Sequence, residues 1–211
     1  MTAPAPDRRQ QRRGAKRAAI LDAAWTLARR DGLAAISLRD LADAVGLRQP
    51  SLYVYFDSKL DLYDAMFADG WRQFLDSVRH DYPSGPHEAL AQFVAECVQF
   101  SSDDVVRHQL LLQRTIPGFE PSAESFAVAQ EFYEFGSDLL VRAGVSNPAD
   151  IDMFTAIVNG LAHQQVANDP GGTRWVRLAG QTVEMLLADV QRRVEAIDPP
   201  RPRRRQRNPN H

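Results

Sequence analysis

The sequence predicts an all-α protein of about nine helices, a three-helix head at the N-terminus with a larger helical body behind it. Three observations carry this. Apolar residues recur at helical spacing along almost the whole chain, and no segment shows the two-residue alternation of a strand. Breaks rich in Gly and Pro, "HDYPSGP" (80–86), "IPGFEP" (116–121) and "NDPGG" (168–172), cut the pattern into helix-sized pieces. The 211 residues are enough for a small domain fused to a larger one.

The elements follow in order. Residues 1–14 read as a disordered basic arm. A first helix, 15–30, sets Ile20, Ala24, Leu27 and Ala28 on one side and ends at Arg29-Arg30-Asp31-Gly32. Ser37 caps a second helix, with Asp40 placed to reach back as in a capping box. Leu38, Leu41, Ala42 and Val45 form its stripe. Gly46 ends it, since glycine turns easily to positive φ. A third helix of about seven residues starts with Pro50 in its first turn, where the missing N–H costs nothing. Asp57 or Ser58 caps a fourth, 58–79, with Leu60, Tyr63, Phe67, Phe74 and Val78 facing inward. This puts the head at 15–60 and the body at 61–196. Helical patterns resume at 87–101, 103–114 and 122–143. "NPAD" starts a helix from 148 to about 167, with Asn147 as N-cap. The last runs 173–195, its stripe including Val176, Val183, Leu187, Val190 and Val194. Residues 197–211, which end in "DPPRPRRRQRNPNH", read as a disordered Pro/Arg-rich tail.

The stretch "SLRDLADAVGLRQPSLYVYFDSK" (37–59) carries the chemistry. A seven-residue helix is unstable alone in water. Leu47, Leu52 and Phe56 can pack it on its neighbours, which turns Arg48, Gln49, Ser51, Tyr53 and Tyr55 outward. Two short helices joined at a glycine make a helix-turn-helix, whose second helix enters the DNA major groove by its N-terminal residues. Arginine pairs with guanine and glutamine with adenine; serine and tyrosine hydroxyls suit phosphate oxygens.

On these residues the chain resembles the TetR/AcrR family of bacterial regulators. "ISLRDLADAVGLRQPSLYVYFDSKLDLYDAM" and the "IL.AA..L" before it are similar to the family's DNA-binding head over about residues 17–66. The resemblance implies a homodimer, a helix-turn-helix head and a C-terminal domain for ligand binding and dimerisation. By position it implies that Ser37 anchors a phosphate, that Arg39 reads a base as in some members, and that Arg48, Gln49, Pro50 and Ser51 form the recognition helix. Tyr53 and Tyr55 look like backbone or thymine-methyl contacts, and Lys59 is similar to a phosphate-gripping lysine. The rival reading of each is a merely exposed residue.

Charge fits a polyanionic partner. Residues 1–59 carry a net +5, residues 60–195 a net −11 and residues 196–211 a net +4. No enzyme motif is present, and no catalytic residue, cofactor or metal site is expected. Cys97 reads as a small buried hydrophobe. No apolar run is long enough to span a bilayer, and the basic N-terminus lacks the apolar core of a signal peptide. A cytoplasmic protein without membrane association is the expectation. In the body, His108, Arg114, Phe119, Phe126, Asn159 and His163 are candidates to hold a largely apolar or cationic effector between helices 87–114, 122–143 and 148–167. The alternative for each is a satisfied core or interface group. Helices 148–167 and 173–195 are expected to form the dimer interface as a four-helix bundle. The expected function is a ligand-responsive repressor on palindromic double-stranded DNA. The alternatives are a nucleoid-type structural DNA binder, and an enzyme or carrier with a vestigial head.

Overall fold

The computed structural model describes residues 8–197. Its helices are α1 (Arg8–Asp31), α2 (Leu38–Ala44), α3 (Gln49–Leu52), α4 (Lys59–Val78), α5 (Pro86–Asp103), α6 (Val105–Leu112), α7 (Ala123–Arg142), α8 (Pro148–Asn168) and, after a 3₁₀ turn at Val176–Leu178, α9 (Ala179–Ile197). No strand occurs among the described residues.

The helix starts are chemically explicit. The side chains of Ser37, Ser58, Asp104, Ser122 and Asn147 each accept a backbone N–H from the first turn of the helix that follows. Such caps satisfy donors that have no partner inside the helix. At Ser37 the cap is one-sided: its Oγ accepts from Asp40 N, and the shorter Asp40 side chain makes no return bond.

The apolar residues form two cores. The head core joins α1, α2 and α3 through Ile20, Trp25, Leu41, Leu52 and Phe56, all 4% exposed or less. The body core is centred on α5, which packs against α7, α8 and α9. α4 belongs to both. Leu62, Tyr63 and Met66 are in the head core, while Phe67, Trp71 and Phe74 are in the body core. α6 is divided likewise, with Leu110 in the head core and Leu111 in the body core. The expected boundary at 60/61 therefore falls at the start of a helix that both cores share.

Four expectations need correction. The basic stretch expected as an arm is helical from Arg8. It is rich in strong helix formers, and one glycine, Gly14, costs only about 1 kcal/mol. Residues 1–7 of the arm, and the tail after Ile197, lie outside the described residues. α3 has four residues rather than seven, and continues as a turn over 53–55. Leu60 is 45% exposed rather than inward-facing, because Leu62 takes the buried position. In the last helix, Val183 and Leu186 are buried within the chain, and Val176, Leu187 and Val190 pack against the same core. Much of that stripe thus serves the protomer's own core.

Candidate nucleic-acid interface and effector cavity

α3 is too short to be stable by itself. Burial of Leu52 and Phe56 holds it from below, worth about 1.5–3 kcal/mol for each large side chain. α1 holds it from the side. Lys16 Nζ donates to the Val45 carbonyl at 2.7 Å, and Arg13 Nη2 to the Val54 carbonyl at 3.0 Å. The Arg17 guanidinium lies 5.0 Å from the centre of the Phe56 ring. The turn between α2 and α3 is set by Gly46 at φ +67°, a conformation that disfavours any Cβ. It brings the Leu47 N–H to the Ala42 carbonyl at 2.8 Å.

This frame leaves Arg48, Gln49 and Pro50 exposed at the start of α3, Tyr53 exposed after it, and Arg39 exposed on α2. Ser51 and Tyr55 are half-buried, and Tyr55 packs on the head core. The side chains of Arg39, Arg48, Gln49 and Tyr53 make no hydrogen bond, ion pair or ring contact to another described residue. Ser37 and Lys59 are engaged. The Ser37 hydroxyl caps α2, and Lys59 Nζ donates to the Ala34 carbonyl at 2.9 Å while lying over the Tyr63 ring. Both keep donors to spare, a hydroxyl hydrogen and two ammonium hydrogens. The reading from sequence missed one part of this surface. Arg9, Gln10, Arg12 and Arg13 on the first turns of α1 line a shallow groove with Val54 and Tyr55. Helix propensity in "RRQQRRGAKR" was the signal that could have placed them.

A partly open cavity of about 50 Å³ lies between α4, α5, α7 and α8 in the body. Its wall includes Trp71 and Phe74 from α4, Phe93, Cys97 and Ser101 from α5, Phe132 and Tyr133 from α7, and Phe154, Val158 and Asn159 from α8. Burial drives the Cys97 pKa well up, so the group stays a thiol. Burial also raises Tyr133, opposed by the Asn159 side chain.

Of the six residues singled out in the body, only Asn159 lines this cavity. His108 is buried on α6, stacked at 6.2 Å on His163, with neither ring nitrogen hydrogen-bonded. His163 is exposed, and its Nδ1 lies 3.1 Å from Gln113 Nε2. Phe119 meets Tyr63 and Phe67 edge-on at the junction of the two cores. Arg114 and Phe126 are exposed. Polar residues on an apolar helix stood out in the sequence. The aromatic wall did not, because a ring that lines a cavity and one that fills a core give the same pattern.

Residues 20–66 match the family model of bacterial regulatory proteins of the tetR family. That match covers the head and the start of α4 and leaves the body outside it. Over 82 residues the chain is 40% identical to the HTH-type transcriptional repressor KstR2 of Rhodococcus jostii, a match spanning 39% of this chain and 38% of that relative. A tetR-family regulator from Streptomyces coelicolor shares the fold, with a TM-score of 0.69, 18% identity, and coverage of 88% of this chain and 84% of that one. So does RolR, solved with the ligand resorcinol, with a TM-score of 0.61, 14% identity, and coverage of 91% and 97%.

Head and body are joined by more than α4. Arg29 of α1 donates to Asp104, the N-cap of α6. The Arg107 guanidinium reaches the same carboxylate at 3.3 Å and lies over both Trp25 and Phe100. Trp25 Nε1 donates to Asp69 of α4 at 2.8 Å. Farther along, Asp64 of α4 accepts from Ser122 and Ser125 at the start of α7. A shift of α4 or α6 therefore breaks bonds on both sides of the junction.

Proposed function

We propose that this chain is a ligand-responsive transcriptional repressor that binds a palindromic operator as a homodimer and is released by a small, largely apolar molecule. The observation that carries this reading is the shared helix. α4 begins three residues after Phe56 of the recognition turn and, twelve residues on, supplies Trp71 to the cavity. At 1.5 Å per residue that is a lever of about 18 Å. A ligand that favours one tilt of α4 changes the spacing of the two heads of a dimer, and DNA binding weakens by its differential affinity for the two tilts. The similarity to KstR2, a transcriptional repressor, and to RolR, solved with a small ligand bound, supports the reading.

Arg48 and Gln49 are the proposed base readers, with Arg39 beside them. Ser37, Ser51, Tyr53, Tyr55 and Lys59 are the proposed backbone contacts, and Pro50 starts the helix. Arg9, Arg12 and Arg13 extend the phosphate-facing surface along α1. Dimerisation is assigned to α8 and α9. Met153, Ile157, Met185 and Val194 are exposed there, and a Cβ at Gly160 would meet nothing within 4 Å. Small and apolar residues at that spacing let a second copy's helices approach closely. No helix among the described residues is long and apolar enough to cross a membrane.

Selection of bound sequences from random DNA tests the reading. The expected product is a palindrome with half-sites one helical turn or a multiple apart, about 34–36 Å per turn. Smooth binding without sequence preference would favour the nucleoid-type alternative. No binding would remove the function.

A further inference from the structure

We infer that Lys16 and Arg13 are positioning residues for base reading: from α1 they clamp the two ends of the segment that carries Arg48 and Gln49, and so set how well the protein tells one DNA sequence from another. The inference rests on the DNA-binding reading above. Three features of the head lead to it.

The first is how little else orients α3. It has four residues, and no side chain caps its N-terminus. Leu52 and Phe56 hold it down by burial, but apolar contact is non-directional. Burial fixes which face of a one-turn helix points inward and leaves its rotation and its slide along the core loosely set. A bidentate contact from Arg48 or Gln49 to a base edge needs both set, to within about 0.5 Å and 10–20°. Hydrogen bonds supply that direction.

The second is where the directional bonds fall. Lys16 Nζ donates to the carbonyl of Val45, the C-cap of α2. Arg13 Nη2 donates to the carbonyl of Val54, one residue after the α3 C-cap Tyr53. Between those two carbonyls lie residues 46–53, Arg48 and Gln49 among them. Lys16 and Arg13 are three apart on α1, about 4.5 Å along its axis, so the segment is a loop tied at its neck to one helix. Each tie is charge-assisted, which makes it stronger than a bond between neutral groups. The Arg17 guanidinium, 5.0 Å from the centre of the Phe56 ring, adds a third hold just past the neck. The third feature is burial. Lys16 is half-buried and Arg13 exposed, so salt and water screen the Lys16 bond less and it is the stronger half of the clamp. Arg13 spends one of its five N–H donors on Val54 and keeps the others for the phosphate-facing surface. Arg12, in the same groove, makes no hydrogen bond, ion pair or ring contact to another described residue. It is the internal control.

The test uses the full chain, an operator selected from random DNA and a scrambled duplex of the same length. Fluorescence anisotropy at fixed salt gives the ratio of the two affinities. Lys16→Met keeps the apolar stem and loses the donor and the charge. It should lower the ratio about tenfold or more, the effect of one hydrogen bond to a charged group. Arg12→Met loses the same charge from the same groove; it should weaken both duplexes alike and leave the ratio within about twofold. Lys16→Arg restores a charged donor and should recover most of the ratio. Arg13→Met, at the exposed end of the clamp, should lower the ratio by up to about fivefold, and it carries the test should Lys16→Met not fold. A second readout needs no DNA. In the free protein the amides of Leu47, Ser51, Tyr55 and Phe56, whose backbone bonds shape the clamped segment, should exchange hydrogen faster in Lys16→Met, with those of α4 unchanged. A general loss of stability would speed both sets. A ratio left unchanged by both Lys16→Met and Arg13→Met, a ratio lowered as much by Arg12→Met, or unaltered exchange at those four amides would each overturn the inference. A wild type that prefers no sequence would defeat the functional reading, and quickened exchange confined to those amides would still uphold the clamp.

Discussion

Arg29 Nε and Nη2 both donate to Asp104 Oδ2, at 2.9 and 2.7 Å, which ties the DNA head to the start of α6. Asp104 is buried and Arg29 is about half exposed. The pair bridges 75 positions of sequence.

Asp104→Asn removes the charge and keeps the cap, since Asn and Asp cap comparably. We expect a loss of about 1–3 kcal/mol in urea unfolding, between an exposed pair and a buried one, because Arg29 reaches solvent while Arg107, on the same carboxylate, is largely buried. Asp104→Ala should cost about 1 kcal/mol more by losing the cap. If the two variants are equally stable, Asp104 does not cap α6 in solution.

Gln49→Ala should relax base preference at one position per half-site, by about 1–3 kcal/mol if the contact is bidentate. Arg12→Gln should weaken all sequences alike and reduce the slope of log affinity against log salt by about 0.9 for each phosphate that is no longer neutralised. Equal, uniform losses from both variants would erase the distinction between readers and anchors.

Met185→Asp and Ile157→Asp each place a charge on a face that the protomer leaves open. In a dimer built on α8 and α9 that charge is buried without a partner. Sedimentation should then show a folded monomer with the circular dichroism of the wild type. These positions test the interface better than Leu187, which also packs against the protomer's own core. A dimer that persists in both variants would place the interface elsewhere.

His108 should make stability depend on pH. Burial, with a smaller effect from His163, lowers its pKa from the ordinary 6.5 to about 4. The unfolded chain takes up this proton as pH falls through 6.5, and the folded chain only near 4. The stability associated with neutral His108 is thus fully present above 6.5 and is lost between 6.5 and 4, on the order of 2–3 kcal/mol. His108→Leu should flatten the profile in that window and be no less stable at pH 7, because neither ring nitrogen has a partner to lose. His80, which is raised by its bonds to Asp81 and Glu96, is common to both proteins and cancels in the comparison. A wild type whose stability is unchanged relative to His108→Leu across the window would contradict the assignment.

The sequence by itself determined the elements and the candidate DNA face. Ser37, Ser58, Gly46, Pro50 and Asn147 mark helix ends by local chemistry, which needs no distant partner, so they were legible in order along the chain. The exposure of Arg48 and Gln49 followed from the burial of Leu52 and Phe56, because a short helix has only one face to give to a core. Only the tertiary structure decided which rings line the cavity and which residues join head to body. Trp71, Phe93 and Tyr133 share an apolar periodicity with the rings that only fill the core, and Arg29 and Asp104 have no local reason to be read as a pair. His163 and Asn159 lie four apart on one helix and look like a matched pair. In the fold, one lines the cavity and the other meets His108 and Gln113 outside it. Periodicity reports which side of a helix is apolar. What that side meets depends on crossing angles and on contacts tens of residues apart, and those exist only once the chain has folded.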